Sequence, residues 1–344
     1  MLTNELQSCT DDETRRVLDR ARDHSNDILI RSAATIGDYV TSTGLDPGAL
    51  CFVAVGSMGR REALAASDLD LLPIMRTNDT LNAYKTHDSG IRERLRGSLG
   101  IPVSRGEDLT APDAVGNFAA SEAIGGALDS SAMLTRRIEI LTEGAEITSW
   151  GFGIDGIRRQ ILNAYAEAER TSGRHVLSLC NDLARFYRTL HIEYKAKVDV
   201  ENKDWCTRNM RLRHSRKLWL FSCIMAIVEL ASRNPDGEQE YVDGLLKAFS
   251  MPPTERLVYA AGERHRSQVG RILRRYAWFL QYMSEGSHRE ALAAVEYGGR
   301  NAATTANPFP ALKLNSDLLH REIMALVEDL EGFKREKVLD WFLL

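Results

Sequence analysis

The sequence predicts an α+β protein, with an N-terminal mixed sheet flanked by helices and an all-helical C-terminal domain. Three observations predict it. Two short apolar runs, ALCFVAVG at 49–56 and LDLLPIM at 69–75, are too brief for core helices and stop abruptly, as buried strands do. Helical periodicity lies on either side of them. Beyond about Ser121 strand signals become scarce.

In order along the chain, Val17, Leu18, Ala21, Ile28, Leu29, Ala33 and Ile36 recur at mostly helical spacing, so one or two helices precede the first strand. Asp46-Pro47-Gly48 breaks that pattern and ALCFVAVG follows. After LDLLPIM, Leu81, Tyr84, Ile91 and Leu95 predict a helix over Thr80–Leu99, and IPVS at 101–104 is a short strand candidate. The segments LTRRIEILTEG, IRRQILNAYAEAER, NDLARFYRTLHIEYKAK, SRKLWLFSCIMAIVELASR and REIMALVEDLEGFKREKVLDWFLL all favour helix. Breaks at Trp150–Gly153, Asn234–Gly237, Pro252-Pro253 and Asn307–Pro310 punctuate them. The expected domains are a helical segment at 1–45, a catalytic-type domain at 46–150 and a helical domain at 151–344.

Of the 344 residues, 44% are hydrophobic and 27% charged, which excludes a largely disordered chain. A net charge of −4 provides no global cationic field for nucleic acid, so such a partner would need a local basic patch. Cys9, Cys51, Cys180, Cys206 and Cys223 form neither CxxC pairs nor a compact framework, and read as reduced thiols. The opening MLTNELQSCTDDETRR lacks the apolar core of a signal peptide, and no segment approaches the roughly 18 apolar residues of a spanning helix. The expected address is cytoplasmic, without a membrane partner.

Asp68 and Asp70 carry the chemistry. On a strand, residues i and i+2 share a face, with backbones about 7 Å apart, so both carboxylates converge while Leu69, Leu71 and Leu72 turn into packing. Two such charges repel unless a cation sits between them, and a magnesium pair about 3.5–4 Å apart is the natural filler for phosphoryl or nucleotidyl transfer. Gly56 lets a phosphate approach the backbone, while Ser57 and the amides that follow can donate to its oxygens. Arg60 or Arg61 adds charge there.

Gly56-Ser57, ten residues, then Asp68-Leu69-Asp70-Leu71 resembles the signature of the DNA polymerase beta nucleotidyltransferase superfamily. The string GSMGRREALAASDLDL is closest to its bacterial branch containing glutamine synthetase adenylyltransferase and PII uridylyltransferase. The resemblance implies a nucleoside triphosphate substrate such as ATP and Mg2+ (or Mn2+) as cofactor. It makes Asp68 and Asp70 catalytic metal ligands and assigns Gly56, Ser57, Gly59 and Arg60 to the triphosphate loop. It also implies a third carboxylate from a later strand, for which Glu107 or Asp108 is the candidate. The implied reaction moves a nucleoside monophosphate to an acceptor hydroxyl, on a protein side chain in preference to RNA or a small molecule. A nucleotide-binding regulatory or interaction module without turnover is the alternative.

A second constellation lies in the helical half. Arg208, Arg211, Arg213, Arg216 and Lys217 fall within ten residues, with His214 among them and Trp205 and Trp219 at the ends. Arg185 and Arg188 share the polar side of the preceding helix. Arg185, Arg188, Arg208 and Lys217 are the candidates for clamping triphosphate, pyrophosphate or an RNA backbone. Against this stands a solvated face, or pairs with Asp182, Glu193, Asp199 and Glu201. Arg185 and His191 also resemble the R-x5-H pair of HEPN-type RNases, a further alternative.

Overall fold

The computed structural model describes residues 4–120, 124–125, 129–168, 177–200, 204–233, 238–302 and 307–336. The chain divides into two compact units. The sheet unit is Ala21–Leu179 with Pro235–Pro252; the helical unit is Met1–Arg20, Cys180–Asn234 and Pro253–Leu344. These units cut across the boundaries expected at 45 and 150. The break expected at Asn234–Gly237 lies outside the described residues.

Helices α1 (Asn4–Ser8) and α2 (Asp12–Thr43) precede β1 (Leu50–Val55). A short helix α3 (Gly56–Gly59) then leads towards β2 (Asp70–Met75). In place of the single helix expected over 80–99 there are two, α4 (Asn78–Tyr84) and α5 (Asp88–Leu99), the second opening on a carboxylate that suits its positive end. They are followed by β3 (Asp113–Ala114), α6 (Gly116–Ala119), α7 (Ser131–Thr142), β4 (Ala145–Ser149) and α8 (Ile154–Ala168).

The four strands order β3-β2-β1-β4, with β1 antiparallel to both β2 and β4 and β2 parallel to β3. Strand β4 was not expected from the sequence. IPVS contributes one bridge, Leu69 to Val103, instead of a strand. The ladder stops there because Ser104 Oγ, not a backbone carbonyl, accepts the Leu71 N–H at 3.1 Å. Pro73 is tolerated in β2 for a related reason. Arg76 N donates to Ala49 O, so alternate residues Ile74, Leu72 and Asp70 pair with β1. The missing N–H of Pro73 therefore points to the outer edge, between the contacts to Ser104 and to Asp113.

One sheet face carries Leu50, Phe52, Ala54, Leu69, Leu71 and Met75, buried against Ile28, Leu29, Ile36 and Val40 of α2, Tyr84 of α4, and Ile91, Leu95 and Leu99 of α5. Asp70 alternates with these residues and so belongs to the other face. Helix α7 packs on β1, and α8 on β4 and α7.

In the helical unit, α9 (Leu177–Asp199) and α10 (Trp205–Arg211) run into a π turn at Leu212–Arg216 and then α11 (Lys217–Ser232). Helix α11 is buried nearly all round, which marks it as the unit's central helix. Helix α12 (Glu238–Ser250) packs on α8 in the sheet unit. Helices α13 (Pro253–Ala261), α14 (Arg266–Ser284), α15 (Gly286–Ala293), α16 (Phe309–Asp329) and α17 (Glu331–Glu336) complete the helical unit. There α11 packs against α13 and α17, and α14 against α16. All five cysteines are free thiols, and among the described residues no helix is long and apolar enough to cross a membrane.

Candidate active site

The Gly-Ser turn and the aspartates meet at the end of the β1–β2 pair. Val55, the last residue of β1, stands opposite Asp70, the first of β2. Gly56 then turns the chain at φ +67, and a Cβ placed there would lie 2.7 Å from Asp70 Oδ2. Only glycine satisfies both the left-handed backbone and the carboxylate beside it. Ser57 follows, half-buried, at the start of α3. Asp68 is exposed and lies just ahead of β2, not within it as the dipeptide spacing suggests, while Asp70 is half-buried.

The rest of the turn is fixed from below. A Cβ on Gly59 would come within 2.1 Å of Glu143 O and 2.5 Å of Ala54 O, so this glycine is a packing requirement. Arg60 is buried and turned inward: Nε lies 2.5 Å from Glu62 Oε1, and Nη1 bonds Glu143 Oε2. Its guanidinium is engaged by two carboxylates, which brace the turn. Within the Gly-Arg-x-Glu string Arg60 pairs both with Glu62, two residues on, and with Glu143, a partner that no local pattern signals.

Arg61 is the described non-glycine residue at positive φ, +58, a left-handed conformation costing on the order of 1–3 kcal/mol. Asn26 Oδ1 holds its Nη1 at 2.6 Å. Burial, then the nearby Arg22 charge, lowers the Arg61 pKa.

The candidates for the third carboxylate, Glu107 and Asp108, follow the Leu69–Val103 bridge in the chain. Among the described residues no group of three or more His, Cys, Asp or Glu side chains gathers as a metal site. Glu107 is exposed in the loop after Ser104, its carbonyl bonded to Thr110 N at 3.1 Å. The side chain of Asp108 lies outside the described residues. Extending the Leu69–Val103 register by one residue places Ser104 alongside Asp70. Buried Arg92 fixes this segment: Nη1 donates to Leu71 O at 3.2 Å and Ser104 Oγ at 2.8 Å, and Nε lies 2.9 Å from Asp88 Oδ2.

Arg185, Arg188, Arg208 and Lys217 are all in the helical unit. Arg185 pairs with Asp182 at 2.9 Å, as the structural alternative anticipated. Arg188 is exposed, and Arg208 sits over the Tyr194 ring, 5.6 Å from its centroid. His191 is exposed, its Nδ1 2.8 Å from Tyr187 O. His214 adds no charge to the basic run. It is fully buried, stacked on Phe279 at 4.1 Å, with Nδ1 2.9 Å from Met210 O and Nε2 3.2 Å from Asn315 Nδ2. Burial, with Lys217 and Arg213 adding to it, lowers its pKa to about 3.

Comparison with known families adds one match: the family described as "Putative nucleotidyltransferase DUF294" matches residues 4–107. That span includes the Gly-Ser turn, both aspartates and Arg92, and covers less than half of the chain. It supports a nucleotidyltransferase domain in this part of the protein. No curated protein matches the chain.

Proposed function

We propose that the sheet unit transfers a nucleoside monophosphate from a nucleoside triphosphate to an acceptor hydroxyl, with a protein side chain as the favoured acceptor. The observation carrying this reading is Asp70 Oδ2 lying 2.7 Å from the Cβ that Gly56 lacks, which sets a carboxylate of the pair against the phosphate-type turn. The acceptor preference comes from the likeness of GSMGRREALAASDLDL to protein-modifying transferases.

Asp68 and Asp70 would hold Mg2+ or Mn2+. Two carboxylates fit such a hard ion, which keeps waters and takes substrate phosphate oxygens for its other positions. When bound, the ion supplies charge neutralisation at the phosphates and activation of an attacking oxygen. The chain does the positioning. Gly56 leaves the backbone open to a phosphate, Ser57 offers a hydroxyl at the turn, and the Arg60–Glu62–Glu143 brace keeps the turn from moving when charge arrives.

Purified protein with labelled nucleoside triphosphate and Mg2+ should release pyrophosphate. Asp68→Asn combined with Asp70→Asn should lower that rate on the order of a thousandfold, the equivalent of a few kcal/mol of charge stabilisation. Turnover unchanged by the double substitution would remove this reading. Ser104 alongside Asp70, with Glu107 exposed in the loop beyond it, favours a second reading, a nucleotide-binding regulatory module. Saturable nucleotide binding without pyrophosphate release under any acceptor supply would select it. Mass spectrometry of candidate acceptors after incubation with each nucleotide identifies the product.

A further inference from the structure

A separate charge arrangement lies within the helical unit, where the π turn and the start of α11 face α16. Arg213 and Lys217 are four residues apart on the first element; Lys313, Asp317 and His320 follow at intervals of four and three on the second. The two faces are tied together: Arg213 Nη2 is 2.9 Å from Asp317 Oδ1, and Arg213 Nε donates to Ser316 Oγ at 3.1 Å. Lys313 Nζ takes the other oxygen of Asp317 at 3.1 Å.

The charges do not balance. Arg213, Lys217 and Lys313 bring three positive charges and Asp317 one negative, leaving a surplus of two before His320 is counted. Among the described residues Lys217 has no carboxylate at ion-pairing distance, although it is half-buried. Burial first, then Arg213, lowers its pKa to about 8, with Asp317 opposing. Burial first, then Lys217, lowers that of exposed His320, with Asp317 again opposing and Arg213 adding to the fall. Helix α9 contributes Tyr187, whose phenol feels Arg213, and buried His214 stays neutral. A half-buried ammonium beside a guanidinium is an unfavourable arrangement that an anion relieves.

We propose that the Arg213, Lys217, Lys313 and His320 cluster binds a doubly charged phosphoryl group. A phosphate dianion cancels the surplus of two, and its three or more oxygens can take donors arriving from two helices at once. A lone carboxylate supplies half the charge. This site goes beyond nucleotidyl transfer and does not rest on it.

Calorimetric titration of the full chain, at low ionic strength and without divalent metal, tests it with inorganic phosphate, pyrophosphate and adenosine monophosphate in parallel. One saturable site is expected. Equal affinities mean recognition of the phosphoryl group as such, and tighter adenosine monophosphate means a nucleotide source. Lys217→Gln should weaken binding roughly tenfold, the loss of one charged donor. Asp317→Asn should tighten it, since the competing carboxylate is gone. Lys313→Gln, at an exposed position, should weaken binding in the same direction and serves if Lys217→Gln fails to fold. Titration between pH 8 and 8.5, where free phosphate is already the dianion, in buffers of different ionisation enthalpy should show net proton uptake, because a bound anion raises the pKa of Lys217. Lys247→Gln, on the sheet unit, should change nothing. Absence of a saturable site, weaker binding in Asp317→Asn, or an equal loss in Lys247→Gln overturns the proposal. Binding unchanged in Asp68→Asn with Asp70→Asn separates its fate from that of the transferase reading.

Discussion

In the sheet unit Arg60, Arg92, Arg136 and Arg137 are all buried, and each meets a carboxylate: Glu62 with Glu143, Asp88, Asp113 and Asp129 respectively. In the helical unit Arg213, Lys217 and Lys313 stand half-buried or exposed around Asp317. The difference is one of desolvation. A guanidinium withdrawn from water must be matched in charge and in hydrogen bonds, so the buried arginines have fixed partners and act as braces. Cations that keep some water can remain in surplus, and a surplus is what a ligand can use.

The strongest way to break this contrast is at Arg60. Arg60→Met leaves Glu62 and Glu143 buried without their shared cation, and unfolding in urea at pH 7 should show a loss of about 3–5 kcal/mol. A loss below about 1 kcal/mol would mean that the carboxylates find other partners and that the turn under Ser57 is not braced as described.

His214 sharpens the contrast from the other side, as a histidine within a basic run that carries no charge. Its pKa is about 3 when folded against the ordinary 6.5 of an exposed histidine, so both states are neutral above 6.5 and its stabilising contribution is complete there. As pH falls from 6.5 towards 3 the unfolded chain takes up a proton that the folded chain refuses. Stability should drop along this window by roughly 1.4 kcal/mol per pH unit from this group. Urea midpoints between pH 7 and 5 measure the slope, and His214→Gln should remove that component while costing stability at pH 7. An unchanged slope in that variant would place a charged imidazole in the core.

These two side chains also show where the sequence stops being legible. The Gly56-Ser57 turn and the strand pair around Asp70 were readable because their determinants are local: an apolar run, a glycine at its end, alternation across the next run. The orientation of Arg60 was not, because Glu143 lies 83 residues away. Likewise, the partners that bury His214, Phe279 and Asn315, belong to other helices. Strand β4 was hidden because AEITS closely follows a helix and pairs with β1, some ninety residues earlier in the chain. The IPVS strand shrank to one bridge because a serine side chain took over the ladder's next hydrogen bond, which no periodicity encodes. Glu107 lies exposed in the loop after Ser104, and register, not residue type, decides what stands beside Asp70.

The smallest expected effect concerns Lys217, and its sign decides whether the helical cluster is held against its own repulsion. With a pKa lowered to about 8 by burial and by Arg213, the charged form is penalised in the folded state. As pH rises through about 8 the folded chain sheds this proton while the unfolded chain keeps it, so stability from this group climbs between pH 8 and 10. The side chain remains partly solvated, which limits the effect. Lys217→Gln should therefore leave stability at pH 7 unchanged or raise it by up to about 1 kcal/mol, and should lack the climb at higher pH. An arginine brace of the sheet unit gives the opposite result when its charge is removed. A clear destabilisation in Lys217→Gln at pH 7 would place Lys217 among the braces and leave the cluster without an unmet charge.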